Sequence, residues 1–153
     1  MRVLLALAIE GKSFVKESNV TFSKLSALFV DKNSLEITSN SSIIFKELNF
    51  NLAIYFLKSH IHIKHNAKLI LFNNTADNSI AIFGIDDCNV TISENEALIV
   101  EHNLVSYDSS FLVGSSIIWN IHNQASIIFQ DNVVQNSGYI VWVYALVVFK
   151  MPS

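Results

Sequence analysis

An all-β solenoid, a single-stranded parallel β-helix with three short strands in each coil of about 26–29 residues, is the fold class that this sequence predicts. The first observation behind it is self-similarity. Segments 66–74 (NAKLILFNN), 95–103 (NEALIVEHN) and 124–132 (QASIIFQDN) recur at a constant offset of 29, and segment 40–48 (NSSIIFKEL) precedes the first of them by 26. A period of this length marks architectures in which each unit buries its apolar face only against its neighbours. The second observation is alternation of apolar and polar residues at period two, enriched in Ile, Val and Phe, which is strand chemistry.

Composition agrees with a packed single domain. The 153 residues are 51 % hydrophobic and only 15 % charged, which excludes a disordered chain. The net charge of −3 comes with ten scattered basic residues, so a nucleic-acid footprint is absent. The single cysteine, Cys88, cannot form an internal disulfide or a cysteine-based zinc site, and reads as a half-buried free thiol.

In chain order, residues 1–33 read as an irregular leading coil or a weak signal-like segment. Met1 to Ile9 begins like a secretory signal, with Arg2 before seven apolar residues, but Glu10 follows without an A-x-A-like cleavage site. The other reading is a first β-strand. Val20-Thr-Phe22 and Leu28-Phe-Val30 resemble the later units with a shortened loop, the step from Leu28 to Ile54 equalling that from Asn40 to Asn66. No apolar run approaches the 18 or so residues of a spanning helix.

Residues 34–153 carry the regular units. In the first strand of each, Leu35, Ile61, Val90 and Trp119 correspond, as do Ile37, Ile63, Ile92 and Ile121. The second strand aligns Ile43, Leu69, Leu98 and Ile127, then Phe45, Leu71, Val100 and Phe129; the third aligns Phe56, Ile82, Phe111 and Ile140. All are expected to face inward. Between them, Ile44, Ile70, Ile99 and Ile128 should point outward, either as a sticky face or as a row covered by a neighbouring loop or tail. One repeat beyond Trp119 stands Val148, so the C-terminal coil is expected to be incomplete and its apolar edge, residues 139–149, to invite self-association.

Asn74, Asn103 and Asn132 form a polar column three residues after an inward Leu71, Val100 or Phe129. Asn tolerates the left-handed backbone of a tight turn, and stacked Asn amides hydrogen-bond along the stacking axis, so this ladder is expected to be structural. Asn66, Asn95 and Gln124 mark the preceding corner by the same logic. A leucine-rich repeat also matches the period and the LxLxxN core. It requires an aliphatic residue where Asn66, Asn95 and Gln124 stand, and it leaves no place for the second alternating strands HIHIK, NVTIS and IWNIH.

Phe129-Gln-Asp-Asn132, together with residues 71–82 (LFNNTADNSIAI), resembles the repeats of the polymorphic outer-membrane protein family, which alternate FxxN with GGA[I/L/V]. The GGAI equivalents here are Ser79-Ile-Ala-Ile82, Ser109-Ser-Phe-Leu112 and Ser137-Gly-Tyr-Ile140. The likeness spans residues 40–143. It implies a right-handed, pectate lyase-like parallel β-helix used as a surface adhesion or display stalk.

Parallel β-helices also carry polysaccharide lyases and hydrolases, whose sites need carboxylates a few ångströms apart. Reading one full repeat along sets Asp86 against Ser115, Glu94 against Asn123, Glu101 against Gln130 and His102 against Asp131, and stacks no carboxylate pair. Asp86-Asp87 reads as a solvated turn. His60 and His62 share a strand face, with Glu36, Asn89 and Thr91 as neighbours on adjacent coils; they read as ordinary outward side chains, with no metal or other cofactor expected. Four N-x-[ST] sequons, at Asn19, Asn40, Asn73 and Asn89, are glycosylation candidates. The sequence therefore predicts a non-enzymatic surface or secreted module acting in adhesion, binding or display, partnered by a glycan or cell-surface protein, at an extracellular or cell-surface location. The alternative is a fragment of a carbohydrate-active β-helix.

Overall fold

Strand follows strand along the whole described chain, and every pairing between strands is parallel. The computed structural model describes residues 6–16, 18–23, 27–50, 54–77, 81–93, 96–106, 110–122, 124–136, 138–143 and 147–150. Among these there is no helix. The strands are β1 (Ala6–Lys16), β2 (Asn19–Ser23), β3 (Ala27–Thr38), β4 (Ser42–Lys46), β5 (Asn49–Phe50), β6 (Ile54–Leu57), β7 (His60–Ile63), β8 (Lys68–Phe72), β9 (Thr75–Asp77) and β10 (Ala81–Asp86). They continue with β11 (Asn89–Ile92), β12 (Ala97–Glu101), β13 (Leu104–Ser106), β14 (Ser110–Ser115), β15 (Ile117–Ile121), β16 (Ser126–Gln130), β17 (Val133–Val134), β18 (Tyr139–Val143) and β19 (Val147–Lys150).

Each strand from β4 to β15 pairs with the strand four places later, so four strand segments, not three, separate one partner from the next. The segment missing from the three-strand expectation is the short one after the Asn column, in the sheet β5–β9–β13–β17. Two or three residues are too few to display alternation. A second sheet runs β2–β4–β8–β12–β16. The remaining strands form one sheet joined at β3, whose first half pairs with β6 and whose second half pairs with β7. Lys32, at φ 50°, turns β3 between those halves. The leading segment is strand as well, β1 running along β3 with a register shift between Ile9 and Gly11.

The inward columns follow the sequence spacing. Leu35, Ile61, Val90 and Trp119 are register partners, as are Ile43, Leu69, Leu98 and Ile127, and Phe22, Phe45, Leu71, Val100 and Phe129. Except for Phe129, which is exposed at the end of its column although it is expected to face inward, their side chains fill or pack against one continuous apolar core, in which the rings of Phe22 and Phe45 stack at 5.0 Å and those of Phe56 and Phe83 meet at 5.4 Å. Fully burying each such side chain contributes about 1.5–3 kcal/mol. Two columns differ from expectation. Phe56 pairs with Ile85, not Ile82, because the shorter early spacing has already given way to the full repeat by β10; Ile82 is buried in the next column, level with Phe111. Trp119 pairs with Phe149, one residue beyond Val148, which faces Ile118.

Corners are made by residues with positive φ. Glu47, Asn73, His102 and Asp131 (φ 51–55°) turn the chain immediately before Leu48, Asn74, Asn103 and Asn132, so the left-handed residue precedes the ladder Asn and is not the Asn itself. Lys58, Asp87 and Ser116 do the same before Ser59, Cys88 and Ile117. Asn66 and Gln124 occupy the left-handed region at the remaining corner, as expected of them, and Asn95 lies outside the described residues.

Candidate functional site

The Asn column is a buried polar feature hydrogen-bonded along its length. The Asn74 amide donates to the Phe45 carbonyl (3.0 Å) and to Asn103 Oδ1 (2.9 Å), and its Oδ1 accepts from the Leu48 N–H (3.0 Å). Asn103 repeats the pattern with Leu71 O (2.9 Å), Asn132 Oδ1 (3.0 Å) and the Asn74 N–H (2.8 Å). Asn132 donates to Val100 O (2.6 Å) and accepts from the Asn103 N–H (2.9 Å). Each amide thus satisfies corner groups of the preceding strands that burial would otherwise leave without water. A second corner column, Asn33, Ser59, Cys88 and Ile117, is also buried, and was hidden in the sequence by its changing chemistry. There the Asn33 N–H donates to Ser59 Oγ (3.2 Å) and the Ser59 N–H to Cys88 Sγ (3.3 Å). Burial, above all, pushes the Cys88 thiol up to about 11, with Asp86 and Asp87 adding to the shift.

The outer face of β2–β4–β8–β12–β16 is a regular surface five strands wide. Its central column is Thr21, Ile44, Ile70, Ile99 and Ile128, in register, with all four isoleucines half-buried by their neighbours. A flanking column runs Ser23, Lys46, Phe72, Glu101 and Gln130, in which Gln130 donates to Glu101 and Phe72 meets His102 edge-on at 5.4 Å. His102 and Asp131 approach to 3.9 Å. The expected outward partners thus stand together; Glu94 and Asn123 lie outside the described residues.

Asp86 accepts from Ser115 Oγ (2.6 Å) and from the Tyr55 hydroxyl. Tyr55 lies over Gly84, where an added Cβ would sit 2.3 Å from the ring. Tyr55 was not singled out in the sequence, since its role depends on a glycine in the next coil. Asp87 is the exposed left-handed corner residue beside this group. His60 and His62 share the outer face of β7, their rings 6.3 Å apart and 28° from parallel. Burial, then Lys64, lowers the His62 pKa below its ordinary 6.5, with Glu36 opposing. Among the described residues no three His, Cys, Asp or Glu side chains converge as a metal-binding group. Of the sequon residues, Asn19, Asn40 and Asn73 are exposed, while half-buried Asn89 accepts from Asn120 at 2.7 Å. No described helix is long and apolar enough to cross a membrane. No protein family, curated protein or solved structure matches the chain.

Proposed function

We propose that this chain is a non-catalytic binding or display module of a surface or secreted protein, built as a right-handed parallel β-helix. The observation that carries the reading is the outer face of β2–β4–β8–β12–β16, whose in-register columns repeat at about 4.8 Å. A surface of that regularity suits an extended glycan or a protein face, and its half-buried isoleucine column supplies the apolar contact. The likeness to polymorphic outer-membrane repeats supports the same reading, because the Phe and Asn of FxxN fall on the inward column and the corner ladder. The test is a glycan and cell-surface binding screen with wild type and Ile70→Lys/Ile99→Lys. Binding that this pair abolishes supports the face; binding indifferent to it defeats the assignment.

The alternative, a carbohydrate-active fragment, is favoured by one observation: the Asp86 carboxylate held between Tyr55 and Ser115. Release of reducing or unsaturated ends from pectin or alginate, lost on changing Asp86 and Asp87 to Asn, overturns the binding-module reading. The same reading includes self-association at the C-terminal end. Phe129 is 37 % exposed and Val134 41 %, whereas their column mates Val100 and Val105 are at most 1 %. These residues flank a depression of about 180 Å³ lined by Phe111, Phe129, Asn132 and Val134. These exposed residues lie on β16 and β17 and precede residues 139–149, the edge to which the sequence points, whose side chains lie outside the described residues. Sedimentation velocity of wild type should show concentration-dependent species that Phe129→Lys/Val134→Lys removes. A single monomeric species at micromolar wild-type protein defeats this expectation.

A further inference from the structure

On the face of β3, β7 and β11, the side-chain arrangement offers a chelating pair. His60 and His62 stand two apart on one strand, and the intervening Ile61, like Ile63 beyond, is fully buried, so both imidazoles project from the outer surface. Strand backbone paired on both sides holds them, β3 on one flank and β11 on the other. We propose that His60 and His62, with the Glu36 carboxylate as third ligand and water completing the shell, bind a borderline divalent transition-metal ion of the Cu²⁺ or Zn²⁺ class.

The geometry fits that chemistry. A metal about 2.0–2.1 Å from each of two imidazole nitrogens needs those nitrogens about 3 Å apart. Rings lying side by side with centroids 6.3 Å apart and 28° from parallel reach that spacing by tilting about the broad χ2 torsion. Glu36 is the register partner of His62 on the neighbouring strand, about 4.8 Å away along the sheet. Its Oε2 lies 3.3 Å from Lys64 Nζ, and the three side chains do not converge until it turns away. This ion pair lies at the surface with both side chains half-buried, and a single surface pair is weak, so the carboxylate can turn from the ammonium to a metal at modest cost. The other groups facing the pair, Ser34, Asn89 and Thr91, are neutral. Metal binding requires unprotonated imidazole. Imidazole-rich sites prefer Cu²⁺ over Zn²⁺, and oxygen-seeking Mg²⁺ and Ca²⁺ are excluded by ligand type. Because Glu36 and His62 lie on different strands, a bound ion would clip β3 to β7.

The test is calorimetric titration of the full chain with Cu²⁺ and with Zn²⁺, each alone, near pH 7. One saturable equivalent is expected, tighter for Cu²⁺, with two-nitrogen hyperfine structure in the electron paramagnetic resonance spectrum. His60→Ala and His62→Ala should each weaken it by about tenfold or more, and Glu36→Gln by about threefold to tenfold. His122→Ala, two residues past Asn120 on β15, should leave it unchanged. Because His60 is exposed, His60→Ala keeps the inward core and serves as the folded variant, checked by circular dichroism. Absence of saturable binding below about 1 mM overturns the proposal. So does binding that survives both His60→Ala and His62→Ala, or that falls equally in His122→Ala.

Discussion

Replacing Asn103 by alanine tests how the corner ladder holds the stack. Asn103 accepts from the Asn74 N–H at 2.8 Å and from the Asn74 amide at 2.9 Å, and it donates to Leu71 O at 2.9 Å and Asn132 Oδ1 at 3.0 Å. Truncation strips the buried Asn74 N–H and Leu71 C=O of their partners, at about 1–3 kcal/mol each, or about 2–6 kcal/mol together. The Asn74 side chain keeps its bonds to Phe45 O and the Leu48 N–H, which bounds the damage. A domain of this size has about 5–15 kcal/mol in total, so the variant sits near the edge of folding. Asn132→Ala removes the same kind of group beside the open depression at the C-terminal end, where water can enter and replace it. Its cost should be about 1 kcal/mol, the net worth of an ordinary hydrogen bond. Urea unfolding followed by circular dichroism should therefore rank Asn103→Ala at least about 1 kcal/mol below Asn132→Ala. Equal losses in the two variants would refute the assignment of the ladder as a buried, water-free support.

Leu71→Asp should abolish cooperative unfolding, because it places an unpaired charge in a fully buried column at a cost of several kcal/mol, while Lys68→Asp on the exposed side of β8 should be nearly silent; equal melting temperatures would show that the inward and outward faces are misassigned. Gly84→Ala should destabilise by about 1–3 kcal/mol because its Cβ would meet the Tyr55 ring at 2.3 Å, and adding Tyr55→Ala should recover part of that loss; no recovery in the double variant would remove the clash as the cause. His62 has a folded-state pKa below its unfolded value, so the unfolded chain binds the extra proton and stability falls as pH drops through about 6.5. His62→Gln should flatten that limb of the pH–stability curve, and an unchanged slope would show that another group supplies it. For Cys88 the folded pKa is raised from 9.0 to about 11, so stability is present below pH 9 and is lost as pH rises through that interval; Cys88→Ser should lessen the loss measured between pH 9 and 11.

The inward columns were legible because a core position asks for the same class of side chain each time it recurs: Leu35, Ile61, Val90 and Trp119 differ in shape but not in hydrophobicity. The outward pairs Asp86 with Ser115 and Glu101 with Gln130 followed from the same repeat length, since register alone decides who meets whom. The count misled where the spacing changes. β5 leads to β6 through residues 51–53, while β9 leads to β10 through residues 78–80 with a longer β9 and β10 around them, and this is where the Phe56 column slipped from Ile85 to Ile82. The fourth strand escaped because TAD, LVS and VV carry no period that a sequence can display.

The corners were half-legible for a related reason. The sequence offers Asn at the ladder, and Asn is a residue that accepts positive φ, yet the backbone places that strain one residue earlier, on Glu47, Asn73, His102 and Asp131. Asn73, His102 and Asp131 are residue types enriched in the left-handed region but Glu47 is not, so local propensity alone does not make this turn. The strands on either side fix it, together with the amide that follows, which gathers the Leu48, Asn74 and Asn103 N–H groups along one column. The second corner column shows how little chemistry the geometry itself demands. It passes from Asn33 through Ser59 and Cys88 to Ile117, all buried, with an acceptor present where a preceding N–H needs one and a plain hydrocarbon at the last. What recurs at that corner is an inward side chain after a left-handed residue. A search for identical residues finds the Asn column and passes over its partner, although the backbone builds both in the same way.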